Sequence, residues 1–145
     1  MEPNEELVLR DDRRTAHGWP RALLILIAVF AGVFTWIAIA SATGDVMDHH
    51  PGRAALTILA ALIWVAMAAG LLHNGRRMRR IAWTTATINL LADIVTFAWA
   101  AFPVDAWSPW YRGGANYLYV PALLAMAALA WLYHSSPARL AQDNG

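Results

Sequence analysis

Thr85, Asn89, Asp93 and Thr96 follow one another at intervals of four, four and three residues, so a helix through this segment carries all four on one face. A carboxyl group flanked by an amide and two hydroxyls can hold a proton or a cation, with Asn89 and Thr96 as supporting oxygens. The same stripe can also serve as structural glue. In that case Asp93 stays protonated and hydrogen-bonds a neighbouring helix, with Thr35, Ser41 or Thr57 as partners. Either way, such a stripe must face a bundle interior, a partner protein or a water-filled path.

Two groups of histidines offer other chemistry. Asp45, Asp48, His49 and His50 could give oxygen and nitrogen ligands to a divalent metal, with Asp45 and His49 on one face if the segment is helical. Zinc sites need three or four ligands, so a solvated polar turn is the plainer expectation. His73 and His134 each end an apolar run at the same level of an antiparallel bundle. A bis-histidine b-type haem, or a quinone-associated anchor, would need such a pair. Histidine at a helix C-terminus is already favoured by the helix dipole, and that is the preferred reading.

The segment from Pro103 to Tyr119 is rich in rings, with Trp107, Trp110 and Tyr111 beside Arg112. These residues could form a surface for a partner or a lipid headgroup. The simpler expectation is an aromatic belt at headgroup depth, matched by Trp19, Trp83, Trp131 and Tyr133 at the opposite boundary. Arg76, Arg77, Arg79 and Arg80 form a basic loop suited to orienting the chain and to holding anionic lipid, at about 1 kcal/mol each near a charged surface.

The elements that position these residues follow from the charge pattern. Only 14% of the 145 residues are charged, against about 25% in an ordinary soluble domain. Uncharged runs extend from Ala22 to Gly44, Ala54 to Gly75 and Gly113 to Ala138, and a fourth, Ile81 to Val104, is interrupted by Asp93 alone. Each exceeds the roughly 20 residues a helix needs to cross the hydrocarbon core. The expected fold is therefore an all-α membrane protein, an antiparallel up-down-up-down bundle of four transmembrane helices at about 21–42, 53–73, 78–102 and 116–134. Residues 1–20 and 136–145 form tails around a transmembrane domain spanning 21–135.

Arginine placement sets the orientation. Arg10, Arg13, Arg14, Arg21, Arg76, Arg77, Arg79, Arg80 and Arg139 fall on one side, and only Arg53 and Arg112 on the other. Both ends are thus expected on the cytoplasmic side of the cell membrane. A cleavable signal peptide ending near Ala40-Ser41-Ala42 is the competing reading of the first run, whose length favours a retained helix.

The absence of cysteine excludes disulfides and thiolate catalysis. No nucleophile elbow, phosphate-binding glycine loop or metalloprotease pair is present, so no enzyme activity and no cofactor are expected. The near-zero net charge argues against nucleic acid. Length and helix number are similar to those of small multidrug-transporter subunits, but no motif matches and no residue carries over. The leading expectation is an accessory or helix-packing subunit, with lipids, other membrane subunits or copies of itself as partners. The alternative is a small oligomeric proton- or cation-coupled transporter or channel using Asp93.

Overall fold

The computed structural model describes residues 18–73 and 75–136. The expectations for the tails at residues 1–17 and 137–145, with Arg10, Arg13, Arg14 and Arg139, lie outside the described residues. Four α-helices follow in order: α1 (Gly18–Met47), α2 (Pro51–Leu72), α3 (Arg76–Ala98) and α4 (Val120–His134). No strand occurs among the described residues. Each helix packs on the next, and α4 returns to touch α1. Arg53 at the start of α2 binds Asp45 near the end of α1, and Arg79 at the start of α3 bonds the Leu132 carbonyl near the end of α4. Both links fit antiparallel neighbours.

The side chains are distributed for lipid. The interior combines small residues such as Ala31, Ala60, Ala86 and Ala128 and the polar stripe of α3 with a few large side chains, Phe34, Trp64 and Met67, while many other large apolar side chains cover the outside. Trp36, for example, is 76% exposed and Ile39 63%. Polar groups inside and apolar ones outside suit a bilayer, where every interior polar group must find its partner within the protein. At Gly70 the approach of α2 to α3 is close enough that a Cβ would lie 2.8 Å from the Ala82 nitrogen and 2.9 Å from the Met78 carbonyl oxygen. Gly32, at a similar spacing pattern on α1, meets nothing within 4 Å.

Helices α1, α2 and α3 are each long and apolar enough to cross a membrane. The fourth apolar run is built differently from the expected helix at 116–134, and counts as a span only together with the bent segment before it. Helix α4 starts only at Val120 and has 15 residues, about 23 Å of rise against a hydrocarbon core of about 30 Å. Two short 3-10 turns, Tyr111–Gly113 and Ala115–Tyr117, precede it and meet it at 106°. Arg112, Gly113, Gly114, Leu118 and Tyr119 all have positive φ, and that left-handed backbone prevents the helix from continuing outward. Helix α3 likewise ends at Ala98, short of the expected 102, where the Trp99 amide caps the Val95 carbonyl at 2.8 Å. The chain then turns through Phe102 and Val104 and folds back.

Candidate functional site

The stripe on α3 faces inward. Thr85, Asn89, Asp93 and Thr96 are all buried, and what covers them is largely the chain's own connection between α3 and α4. The Trp110 indole N–H donates to Asn89 Oδ1 at 3.0 Å. The Thr96 hydroxyl bonds the Trp110 carbonyl, and the Gly113 amide donates to Thr96 Oγ1 at 3.0 Å. Asn89 sits nine residues before the end of α3, about 14 Å down the helix axis. The Trp110 side chain thus reaches deep along α3, while the backbone of the connection is held at the level of Thr96 through the Trp110 carbonyl and the Gly113 amide.

This corrects the expectation for Trp110. It is 5% exposed and locked into the bundle, not placed at a lipid or partner surface. An indole donor at membrane depth gains more from a buried amide acceptor than from the headgroup layer. Trp107, at 59%, and Arg112 do stay exposed, and Tyr111 is half-buried with the Arg112 guanidinium 5.4 Å from its ring centroid. Cross-braces hold the loop in shape. The Tyr117 hydroxyl donates to the Trp107 carbonyl at 2.7 Å, and Ser41 on α1 donates to Asp105 at 3.2 Å.

Asp93 differs from its neighbours. Thr85 bonds the Ile81 carbonyl at 2.7 Å, and Asn89 Nδ2 meets Met67 Sδ at 3.6 Å. Both carboxyl oxygens of Asp93 are buried without a hydrogen-bond partner among the described residues. Thr35, Ser41 and Thr57, expected as possible partners, bond elsewhere: Thr35 to Ala31, Ser41 to Asp105 and Thr57 to Arg53. Beside Asp93 a cavity of about 330 Å³ opens between α3 and the start of α4, walled by Leu90, Ile94, Phe97, Gly113, Tyr119 and Met126. Its lining is apolar.

The metal candidates are not brought together as a ligand set. Asp45 is buried and gives one oxygen to the Arg53 Nε at 2.7 Å and to its terminal nitrogen at 2.5 Å. Asp48, His49 and His50 stay exposed on the turn, where His49 takes a φ of 62°. No cluster of three possible metal ligands occurs among the described residues. His73 and His134 are both exposed at the far end of the bundle. His73 Nδ1 lies 3.1 Å from the Ala69 carbonyl, its own helix's last turn, and His134 packs edge-on against Tyr133.

In the basic loop, Arg76, Arg77 and Arg80 are exposed. Arg79 instead turns inward, tying α3 to the Leu132 carbonyl and to Ser135 Oγ at 3.1 Å. It closes the end of the bundle where free carbonyls at the C-terminus of α4 need donors. Sequence reasoning missed Trp64, whose buried indole nitrogen has no partner among the described residues, and it missed the seating of Trp110. The adjacent Gly113-Gly114 pair was the available signal for a break.

The fold and this site define a small, all-α, multi-pass membrane protein with an irregular connection packed over a buried carboxyl group. No family model, curated protein or solved structure matches the chain.

Proposed function

We propose that this chain lies in the cell membrane with both ends on the cytoplasmic side, and works as a small oligomeric proton- or cation-coupled transporter or channel. Asp93 is the working residue, and no enzymatic step is involved. The nine-to-two split of arginines supports the orientation. One observation carries the assignment to Asp93: a carboxyl group deep in the bundle with both oxygens buried and unpartnered. An ionisable residue inside a membrane is costly, and a purely structural one would be expected to have found a hydrogen bond. Irregular backbone beside it, at Gly113 and Gly114, supports the same reading, because broken segments at membrane depth accompany ion and substrate sites. Flux of protons or monovalent cations into liposomes, compared between the wild type and Asp93→Asn, tests it.

A second reading, an accessory subunit of a larger membrane assembly, draws on a different surface. An apolar groove of about 690 Å³ runs between the outer halves of α1 and α2, floored by Ala38, Ala42 and Ala61 and flanked by Ile39, Ile58 and Leu62. Small residues of this kind let another transmembrane helix approach closely. Native mass spectrometry from a mild detergent separates the two. Foreign chains at fixed ratio support the accessory role, and multiples of this chain's own mass support self-assembly.

A further inference from the structure

Two buried polar groups of opposite sense stand without partners among the described residues: Trp64 Nε1, which can only donate, and the two carboxyl oxygens of Asp93. Helix register brings them to the same level. Asn89 on α3 touches Met67 on α2 at 3.6 Å. One turn further out, α3 presents Asp93 and antiparallel α2 presents Trp64, both on the buried faces of their helices. Side chains lean toward the N-terminus of their own helix. Asn89 and Met67 carry those same leans and touch, so the next pair outward on the same faces, Asp93 and Trp64, is set to face each other in the same way.

We propose that Trp64 and Asp93 share one bound water molecule, which accepts from the indole N–H and donates to the carboxyl group. Three observations support water over the alternatives. A lone donor beside lone acceptors is the complement of a water molecule, which has both. A metal cation is disfavoured by an adjacent N–H, whose hydrogen carries positive charge. A direct bond is not formed: neither Trp64 Nε1 nor either Asp93 oxygen has a hydrogen-bond partner among the described residues, and the Trp64 ring packs edge-on with Phe34, centroids 5.1 Å apart. The inference rests on the reading of Asp93 as the working residue and narrows it: the cargo held there is a proton, and Trp64 is the residue that positions the water carrying it.

Infrared difference spectra of the reconstituted protein test this, with Asp93→Asn identifying the Asp93 carboxyl bands. The expected result is a water O–H band that moves in oxygen-18 water and is lost in both Asp93→Asn and Trp64→Phe. The Asp93 bands should also shift in Trp64→Phe. Should Trp64→Phe not fold, the Trp64 indole N–H resonance in the wild type and Asp93→Val gives the contact from the other side. It should move, and an unmoved resonance overturns the proposal. Carboxyl bands that ignore Trp64→Phe overturn the pairing. Bands that shift with no isotope-sensitive water overturn the water and leave a direct contact. Neither failure touches the flux assay, which judges the role of Asp93 separately.

Discussion

The indole N–H of Trp110 donates to the side-chain oxygen of Asn89 at 3.0 Å, linking the tip of the outer connection to the middle of α3. With the Thr96 bonds it makes the loop part of the bundle interior. Asp93 is thereby closed in on that side, and the fourth apolar run is divided between a short helix and an irregular segment.

Breaking that link should loosen the loop without unthreading the helices. Trp110→Phe keeps most of the ring but removes the donor, leaving Asn89 Oδ1 unpaired. Interhelical hydrogen bonds in membranes average about 0.6 kcal/mol with a maximum near about 1.7, so a loss within that range is expected. A double-mutant cycle with Asn89→Leu, read by unfolding in detergent, should give a coupling of the same size. A coupling of zero would show that the contact contributes nothing.

Backbone geometry sets a second expectation. Gly113 has φ +71°, and a Cβ there would lie 3.2 Å from both the Asp93 carbonyl oxygen and the Phe97 Cβ. Gly113→Ala should cost about 1–3 kcal/mol through left-handed strain and crowding against α3. At Gly70 the added methyl would meet the backbone of α3, and Gly70→Ala should destabilise by a similar amount, about 1–3 kcal/mol. Gly32→Ala meets open space and serves as the neutral control. Equal unfolding midpoints for all three variants would contradict the close approach of α2 to α3.

Most of the bundle could be read from the chain because charge is segregated so sharply: charged residues bracket each apolar run, and helix spacing puts Thr85, Asn89, Asp93 and Thr96 on one face. The seating of Trp110 could not be read. Trp107 and Trp110 are three residues apart in the same loop, yet one meets the outside and the other fills the core. Composition cannot separate them, because an indole satisfies both a headgroup layer and a buried acceptor. The early end of α3 and the late start of α4 follow from that seating, so they were hidden with it. Trp64 was invisible for a related reason: within an apolar run, an indole nitrogen looks like part of the core.

At the outer turn, Arg53 neutralises a buried Asp45. Arg53→Gln should lower the unfolding temperature by leaving that carboxylate buried and unpaired, and adding Asp45→Asn should restore part of the loss. An unchanged melting curve for Arg53→Gln would show that Asp45 finds water or another donor.

The cavity between α3 and α4 has an apolar lining that includes Asp93. A lipid-soluble carbodiimide should therefore modify Asp93 in intact membranes, and a water-soluble one should not. Peptide mass mapping reads the adduct. Modification by the water-soluble reagent alone would mean that Asp93 is reached from an aqueous path and not from the lipid.

The most direct test of the account is ion flux in proteoliposomes, followed with an internal pH dye under an imposed potential. The wild type, Asp93→Asn and Gly32→Ala would be compared at matched protein content. The account predicts proton flux in the wild type and in Gly32→Ala, and the rate of empty vesicles in Asp93→Asn. Flux equal in all three proteins, or no flux above empty vesicles in the wild type, would contradict the assignment of Asp93 as the working residue.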